Sequence, residues 1–369
     1  MKKPLIPKQM LAAVYRGRND VRIETVPVPR IQAGELLVKV AVCGVCPTDI
    51  KKIQAGTLTP PRIFGHETAG TIVKIGAKVV GFRVGDRVGL HHHVPCRDCH
   101  YCRHHAYAQC AQYKRTGITA GFEPAGGGFA EYVRVMDFVL PGVVKIPQKA
   151  GFIHGAMLEP VNTVLKGVAQ LPLPKGDTVL VIGQGPIGLL FTRVLLLKGM
   201  RVFATDMLAS RRRQALLTGA AWAGGPDDLE ALVGKGFKSR SKARTLRPVV
   251  FDAAVVTVPV DTAVLQAHRM VRPAGAVLLF GHTQKGGALA IDPGAICADE
   301  KALLGSYSSD IRFQSASARF CFSETDFFNN LITSRLSLRD VNLAITKATN
   351  PEGAGFKIVI GIGTDWVEG

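Results

Sequence analysis

The stretch TVLVIGQGPIGLLFTRVLLLKG, residues 178 to 199, constrains the fold more than any other. A short apolar run meets a glycine-rich turn and passes directly into a segment with helical spacing. The turn, Gly183 to Gly188, fits G-x-G-x-x-G. Glycine turns are common, so the pattern alone says little; between a strand and a helix it specifies one strand–turn–helix unit. Gly183 permits a tight turn, Gly185 lets the backbone approach a pyrophosphate, and Gly188 lets helix and strand pack closely, with Pro186 and Ile187 opening the helix. The helix start presents free N–H groups and the positive end of its dipole to phosphates. The next strand, RVFATD, ends on Asp206, whose carboxylate is placed to accept both ribose hydroxyls of NAD and to repel the 2′-phosphate of NADP. Arg211 to Arg213 pull the other way, because arginine near this strand end can hold that phosphate; NAD is the expected cofactor.

PVVFDAAV and GAVLLFGH read as further buried strands with helical stretches between, so residues 178 to 310 alternate strand and helix. That rhythm predicts βαβ units and a parallel sheet. The first 150 residues differ: ELLVKVAVCGV, HETAGTIVKIG and GDRVGL are β-branched runs punctuated by glycine. The last 60 residues return to a mixed pattern and close on the strand-like FKIVIGI. A chain of 369 residues accommodates two domains. The expected division is a β-rich domain at 1–160, an inserted α/β domain with a doubly wound parallel sheet at 161–307, and a return to the first domain at 308–369. With 47% hydrophobic and 20% charged residues the balance is that of a globular protein. No apolar run approaches the roughly 20 residues of a membrane span, and the N-terminus lacks a signal-peptide pattern. The expectation is a cytoplasmic protein without a membrane partner.

A cytoplasmic setting keeps thiols reduced, which bears on CRDCHYCRHHAYAQC. Cys96, Cys99, Cys102 and Cys110 form C-x2-C-x2-C-x7-C. Four thiolates so spaced match a closed tetrahedral zinc site that holds a loop and does no chemistry; a reduced, metal-free cluster is the alternative. Upstream, CPTD (Cys46 to Asp49) and GHE (Gly65 to Glu67) offer Cys46, His66 and a carboxylate, the mixed and open donor set of a catalytic zinc.

Taken in order, C-P-T-D, G-H-E, G-D-R-V, the cysteine loop within residues 91–112, G-G-F-A-E-Y, L-E-P and G-Q-G-P-I-G with Asp206 give a sequence that resembles the zinc-dependent medium-chain alcohol and polyol dehydrogenases, nearly from end to end. The resemblance implies a GroES-like catalytic domain interrupted by a Rossmann domain, with two Zn2+ per chain, one catalytic and one structural. It makes Cys46 and His66 catalytic ligands and Glu67 a residue that binds the metal or exchanges onto it. It places Glu159 where simple alcohol dehydrogenases carry cysteine and the sorbitol, glucose and threonine branches carry glutamate. Which of Glu67 and Glu159 is the resting ligand stays open. Thr48 matches the hydroxyl that takes the substrate proton. Two departures stand out: Lys51 replaces a common relay histidine, and His92, within HHHV, replaces a large apolar pocket residue. The histidine trio is a solvated turn, an extra metal ligand or, as expected here for His92, a polar pocket wall.

These features predict reversible hydride transfer from a secondary alcohol (a polyol, sugar or hydroxy-amino acid) to NAD. The enzyme alternatives are a carbonyl reductase using NADPH and a phosphorylated-polyol dehydrogenase. The formal charge of +18 and the basic run GKGFKSRSKARTLR at 234–247 also suit a zinc-containing nucleic-acid-binding protein, but the cluster lacks finger spacing and the glycine loop would have no role there. The basic run reads as a solvated face, with a polyanion site as the alternative. The family further implies a homodimer or homotetramer.

Overall fold

Alternating apolar residues and early glycines leave the first part of the chain no option but antiparallel pairing, and the computed structural model of the chain shows this. It describes residues 5–114, 127–235, 251–281, 286–350 and 355–363. The chain divides into two units, one of residues 1–162 with 309–369 and one of residues 163–308.

In the first unit, β1 (Gln9–Gly17) and β2 (Asp20–Pro27) form a hairpin, and β3 (Leu36–Gly44) is followed by a helix at Pro47–Ala55. β4 (Arg62–Ile63) pairs with β1 and completes a three-stranded sheet. β5 (Glu67–Ile75) runs antiparallel to β3, β6 (Arg87–Leu90) to β5, β7 (Tyr132–Val135) to β3, and β8 (Val143–Lys145) to β6. The inner faces of both sheets bury an aliphatic core in which Tyr15 meets Phe64 edge-on.

The second unit holds β9 (Thr178–Ile182), β10 (Arg201–Thr205), β11 (Trp222–Gly224), β12 (Phe251–Val256), β13 (Val271–Leu279) and β14 (Ala302–Gly305). Their order is β11-β10-β9-β12-β13-β14, all parallel. This is the doubly wound order that reverses direction between its first and fourth strands, here β9 and β12. Val179, Leu180 and Val181 are fully buried, as a strand covered on both faces requires. Asp252 ties the start of β9 to β12: one carboxylate oxygen accepts from the Thr178 N–H at 2.8 Å and hydroxyl at 2.9 Å, and the other meets Arg272 Nε at 2.7 Å.

The chain then returns: β15 (Ile332–Ser337) pairs in parallel with β16 (Lys357–Gly361), and β16 lies antiparallel beside β3. The fold is therefore the expected one, a GroES-like β-rich unit interrupted by a doubly wound parallel sheet. No helix among the described residues is long and apolar enough to cross a membrane. The basic run at 234–247 lies, from residue 236 onward, outside the described residues.

Candidate active site and cofactor loop

Two strand ends assemble the mixed donor set. β3 runs out at Gly44, and two residues later Cys46 caps the helix Pro47–Ala55, with Pro47 in its first turn. The Thr48 N–H points at Cys46 Sγ at 3.5 Å, so the sulfur sits at the N-terminal end of the helix. His66 and Glu67 arrive at the start of β5, whose Glu67 is in register with Gly44. The register explains the glycine: a Cβ at residue 44 would lie 1.9 Å from Glu67 Oε2. Gly65 is constrained too, with φ +97° and a Cβ that would meet Cys43 Sγ at 2.7 Å. The result is one sulfur, one imidazole nitrogen and one carboxylate oxygen mutually within 4.8 Å.

Two of the three donors have a buried charged partner. His66 Nδ1 donates to Asp49 Oδ1 at 3.2 Å, which leaves Nε2 as the nitrogen free to bind a metal. Burial works against a charged His66, yet the Asp49 carboxylate and Cys46 outweigh it and hold the imidazole well above its ordinary value. Glu67 pairs with the buried ammonium of Lys357 on β16, which also donates to the Val45 carbonyl at 3.1 Å. Burial disfavours charge on Lys357, but Glu67 more than offsets it and raises its pKa. A cysteine sulfur, an imidazole nitrogen and a carboxylate are a donor set that zinc accepts. Neighbouring Cys43 is fully buried, its thiol pushed up to about 12 by burial, and so is inert packing.

Glu159, in the first turn of the helix Leu158–Ala169, stands outside the three-donor group. Burial pushes its carboxyl up to about 7, with His66 opposing the rise and Glu67 adding to it. Its near neighbour is His93: Nδ1 lies 3.7 Å from Glu159 Oε1, and the ring centroid is 6.2 Å from that of His66. His93 thus borders the donor set, and His92 is buried close enough to His66 to feel its charge. Beyond β6 the chain turns, the Val94 N–H bonding the His92 carbonyl at 3.0 Å, and the His91 and His93 rings lie 6.0 Å apart. Thr48 and Lys51 are exposed on the first turns of their helix. Asp49 and Lys357 were missed by sequence reasoning; Asp49 sits inside the quoted C-P-T-D, whereas nothing local marks Lys357, some 290 residues from Glu67.

The four-cysteine loop carries its own geometric test. A tetrahedral zinc with thiolates at about 2.3 Å requires sulfurs about 3.8 Å apart. Cys96 and Cys102 Sγ are 3.8 Å apart, Cys99 and Cys102 3.6 Å, and all four sulfurs lie within 4.8 Å of one another. A disulfide would need about 2.05 Å, and all four cysteines are free. Backbone N–H groups of Asp98 and Cys99 draw the Cys96 thiol down, while burial and the neighbouring thiols push Cys102 up, so without a metal the cluster keeps one thiolate more readily than four. The residues fit a closed zinc site.

In the second unit, Gly183 has φ +89° at the end of β9, and a Cβ at Gly188 would meet the Gly183 carbonyl at 1.8 Å. A Cβ at Gly185 would find nothing nearer than the Arg211 guanidinium at 3.9 Å. Gly183 and Gly188 are therefore demanded by the loop itself, whereas Gly185, which caps the helix Pro186–Leu197, faces open space. Thr257, just beyond β12, donates to the Ile182 and Gly183 carbonyls at 3.0 Å and closes the reversal point. Asp206 accepts from the Gln184 N–H at 2.7 Å and the Leu208 N–H at 2.9 Å, and Arg211 Nη1 lies 3.7 Å from its Oδ2. The acid and the arginine thus stand side by side at the strand end.

Comparison with known proteins decides the family. The alcohol dehydrogenase GroES-like domain matches residues 32–148, and the zinc-binding dehydrogenase domain matches residues 186–321. A sorbitol dehydrogenase of Bombyx mori is 30% identical over 359 residues, spanning 95% of this chain and 97% of that protein. The chain belongs to the zinc-dependent medium-chain dehydrogenases. Among solved structures, this dehydrogenase resembles a zinc-binding dehydrogenase of Sinorhizobium meliloti bound to NADP, at 27% identity and TM-score 0.85 over 96% of this chain and all of that one. It also resembles 2R,3R-butanediol dehydrogenase of Bacillus subtilis, at 25% identity and TM-score 0.81 over 95% and 99% of the two chains. The medium-chain dehydrogenase is accordingly an oxidoreductase with a nicotinamide cofactor, similar to a structure bound to NADP and to enzymes named for polyols.

Proposed function

We propose that this dehydrogenase oxidises a secondary alcohol of a polyol or related hydroxyl-rich substrate, reversibly, with NAD as acceptor and zinc held by Cys46, His66 and a glutamate. The observation that carries the reading is the convergence of the Cys46 sulfur, a His66 nitrogen and a Glu67 oxygen within 4.8 Å, on residues that Asp49 and Lys357 hold in place. When bound, zinc would supply a Lewis acid that makes the carbinol hydroxyl acidic, and nicotinamide would supply the hydride acceptor. The chain's residues do the rest. The Thr48 hydroxyl takes the substrate proton and hands it outward along the exposed start of its helix, where Lys51 holds a cation beside the exit. Glu67, neutralised by Lys357, and Glu159, kept at a raised pKa by burial, are the two carboxylates able to complete the metal's coordination. His93 turns a polar edge toward the same place and suits a second substrate hydroxyl better than an alkyl chain.

Gly183, Gly185, Pro186, Ile187 and Gly188 cradle the pyrophosphate, and Asp206 receives the adenosine ribose. NAD is favoured because the Asp206 carboxylate repels a 2′-phosphate; NADP is the second reading, supported by Arg211 at 3.7 Å from that carboxylate. A dimer or tetramer in the cytoplasm completes the proposal; the exposed Leu303 on the edge strand β14 supports association. The test is reduction of NAD and of NADP with sorbitol, xylitol, 2,3-butanediol and threonine, each with the metal-replete protein. NADH formation with a polyol and a preference for NAD of at least about tenfold are expected; no turnover with any of these alcohols contradicts the reading.

A further inference from the structure

Outside the donor set, the first unit contains one continuous buried polar network. His91, Tyr113, Ser309 and Gln314 are none of them more than 9% exposed. His91 Nδ1 is 2.6 Å from Gln314 Oε1 and its Nε2 is 2.7 Å from Ser309 Oγ. Ser309 Oγ lies 2.5 Å from the Tyr113 hydroxyl, which in turn accepts from the Ser309 N–H at 2.8 Å. One hydrogen arrangement satisfies every member. Gln314 Nε2 donates to the Gly142 carbonyl at 2.8 Å, which fixes Oε1 as the acceptor for the His91 Nδ1–H. His91 Nε2 then accepts from Ser309, and Ser309 Oγ accepts from the Tyr113 hydroxyl. A fully satisfied network of this kind holds its members in a single arrangement.

What it holds is the Tyr113 ring, and that ring lies flat on His93, with centroids 4.7 Å apart and planes 9° from parallel. Tyr113 follows closely on Cys110 and packs in the same apolar cluster as Cys102 and Cys110. The cysteine loop therefore ends by delivering an aromatic ring to the histidine beside Glu159.

We propose that Tyr113 is a positioning residue: the cysteine loop brings it in, His91, Ser309 and Gln314 clamp its hydroxyl, and its ring sets the plane in which His93 meets a substrate hydroxyl. The proposal rests on the reading of Cys46, His66 and the glutamates as the catalytic centre. It gives the metal-binding loop a part in substrate recognition besides holding itself together. Removing the ring frees His93 to rotate away from the substrate and weakens binding more than the chemical step.

The experiment compares Tyr113→Leu and Tyr113→Phe with the wild type, each with zinc content measured. It uses the KM and kcat for the best polyol and the imidazole 1H–15N resonances of the histidine-labelled protein, His93 being identified by its loss in His93→Asn. Tyr113→Leu is expected to raise KM about three- to tenfold with kcat within about twofold, and to shift the His93 resonances. Tyr113→Phe keeps the ring but loses the hydroxyl clamp, so it should raise KM and shift the His93 resonances by less than Tyr113→Leu does. Should Tyr113→Leu not fold, Ser309→Ala, which releases the hydroxyl, carries the same test with a smaller shift. An unmoved His93 resonance and unchanged KM at full zinc content would overturn the proposal. A wild type with no alcohol turnover would instead refute the catalytic reading, and the His93 resonance alone would then decide whether Tyr113 positions that ring.

Discussion

Asp49 touches no reacting atom in this account, yet it decides which nitrogen of His66 faces the metal. It is 1% exposed and holds Nδ1 at 3.2 Å, so Nε2 is presented as the donor. Removing the charge while keeping the shape isolates that role. Asp49→Asn should weaken zinc at the mixed site about 10- to 100-fold and leave the four-cysteine site alone, as read by competition with a chromophoric chelator. Equal weakening at both sites would point to general unfolding. Glu67 and Lys357 show the same logic between distant residues: two charges that would each be costly to bury are held against each other. Such a pair is invisible to local sequence reasoning, because its geometry exists only once β16 has come to lie beside β3. Asp49 was within view in C-P-T-D, but one sequence cannot say which way a carboxylate points.

At the scale of elements, strands and glycines were the most legible features. TVLVI became β9, RVFAT became β10, and LLVKVAVCG became β3, each because apolar residues with little helical spacing between turns can bury both faces only in a sheet. The order of those strands could not be read from periodicity; it follows from the crossovers that pack helices on a parallel sheet. In HHHV the motif offset points to His92, and the structure adds His93 beside Glu159. The glycine loop allows a sharper test, since its glycines serve different ends. Gly188→Ala puts a Cβ 1.8 Å from the Gly183 carbonyl and should lower both thermal stability and NAD affinity. Gly185→Ala meets nothing closer than 3.9 Å, so it should leave the melting temperature within about 1 °C, a near-neutral change, while weakening NAD. Matched losses in the two variants, by thermal melts and calorimetric titration, would remove the distinction.

The tie between β9 and β12 gives a pH dependence. Burial opposes charge on Asp252, but Arg272 and the Thr178 donors outweigh it and lower its pKa below the ordinary 3.8. A carboxylate lowered on folding contributes stability that is present above its unfolded pKa and is lost as pH falls through the folded one. Asp252→Asn should therefore lower stability at pH 7. In urea titrations the gap to wild type should hold down to about pH 5 and narrow below about pH 4. A gap independent of pH would assign the loss to shape.

For the molecule as a whole, a charge of +18 proved compatible with a dehydrogenase, and the comparisons place the chain in that family over nearly its full length. Two groups of donors that could hold a metal share the β-rich unit: four sulfurs at tetrahedral spacing on a loop, and a sulfur, a nitrogen and a carboxylate where β3 ends and β5 begins. The parallel sheet carries a separate glycine loop, shaped for a dinucleotide. The division of labour between the metal sites is the central claim, and one measurement addresses it directly: zinc per chain in the wild type and in Cys46→Ala, with polyol-dependent NADH formation from the same samples. About two zincs per chain should fall to about one, with turnover down at least about a thousandfold and NAD binding largely kept. Two zincs and undiminished turnover in Cys46→Ala would contradict it.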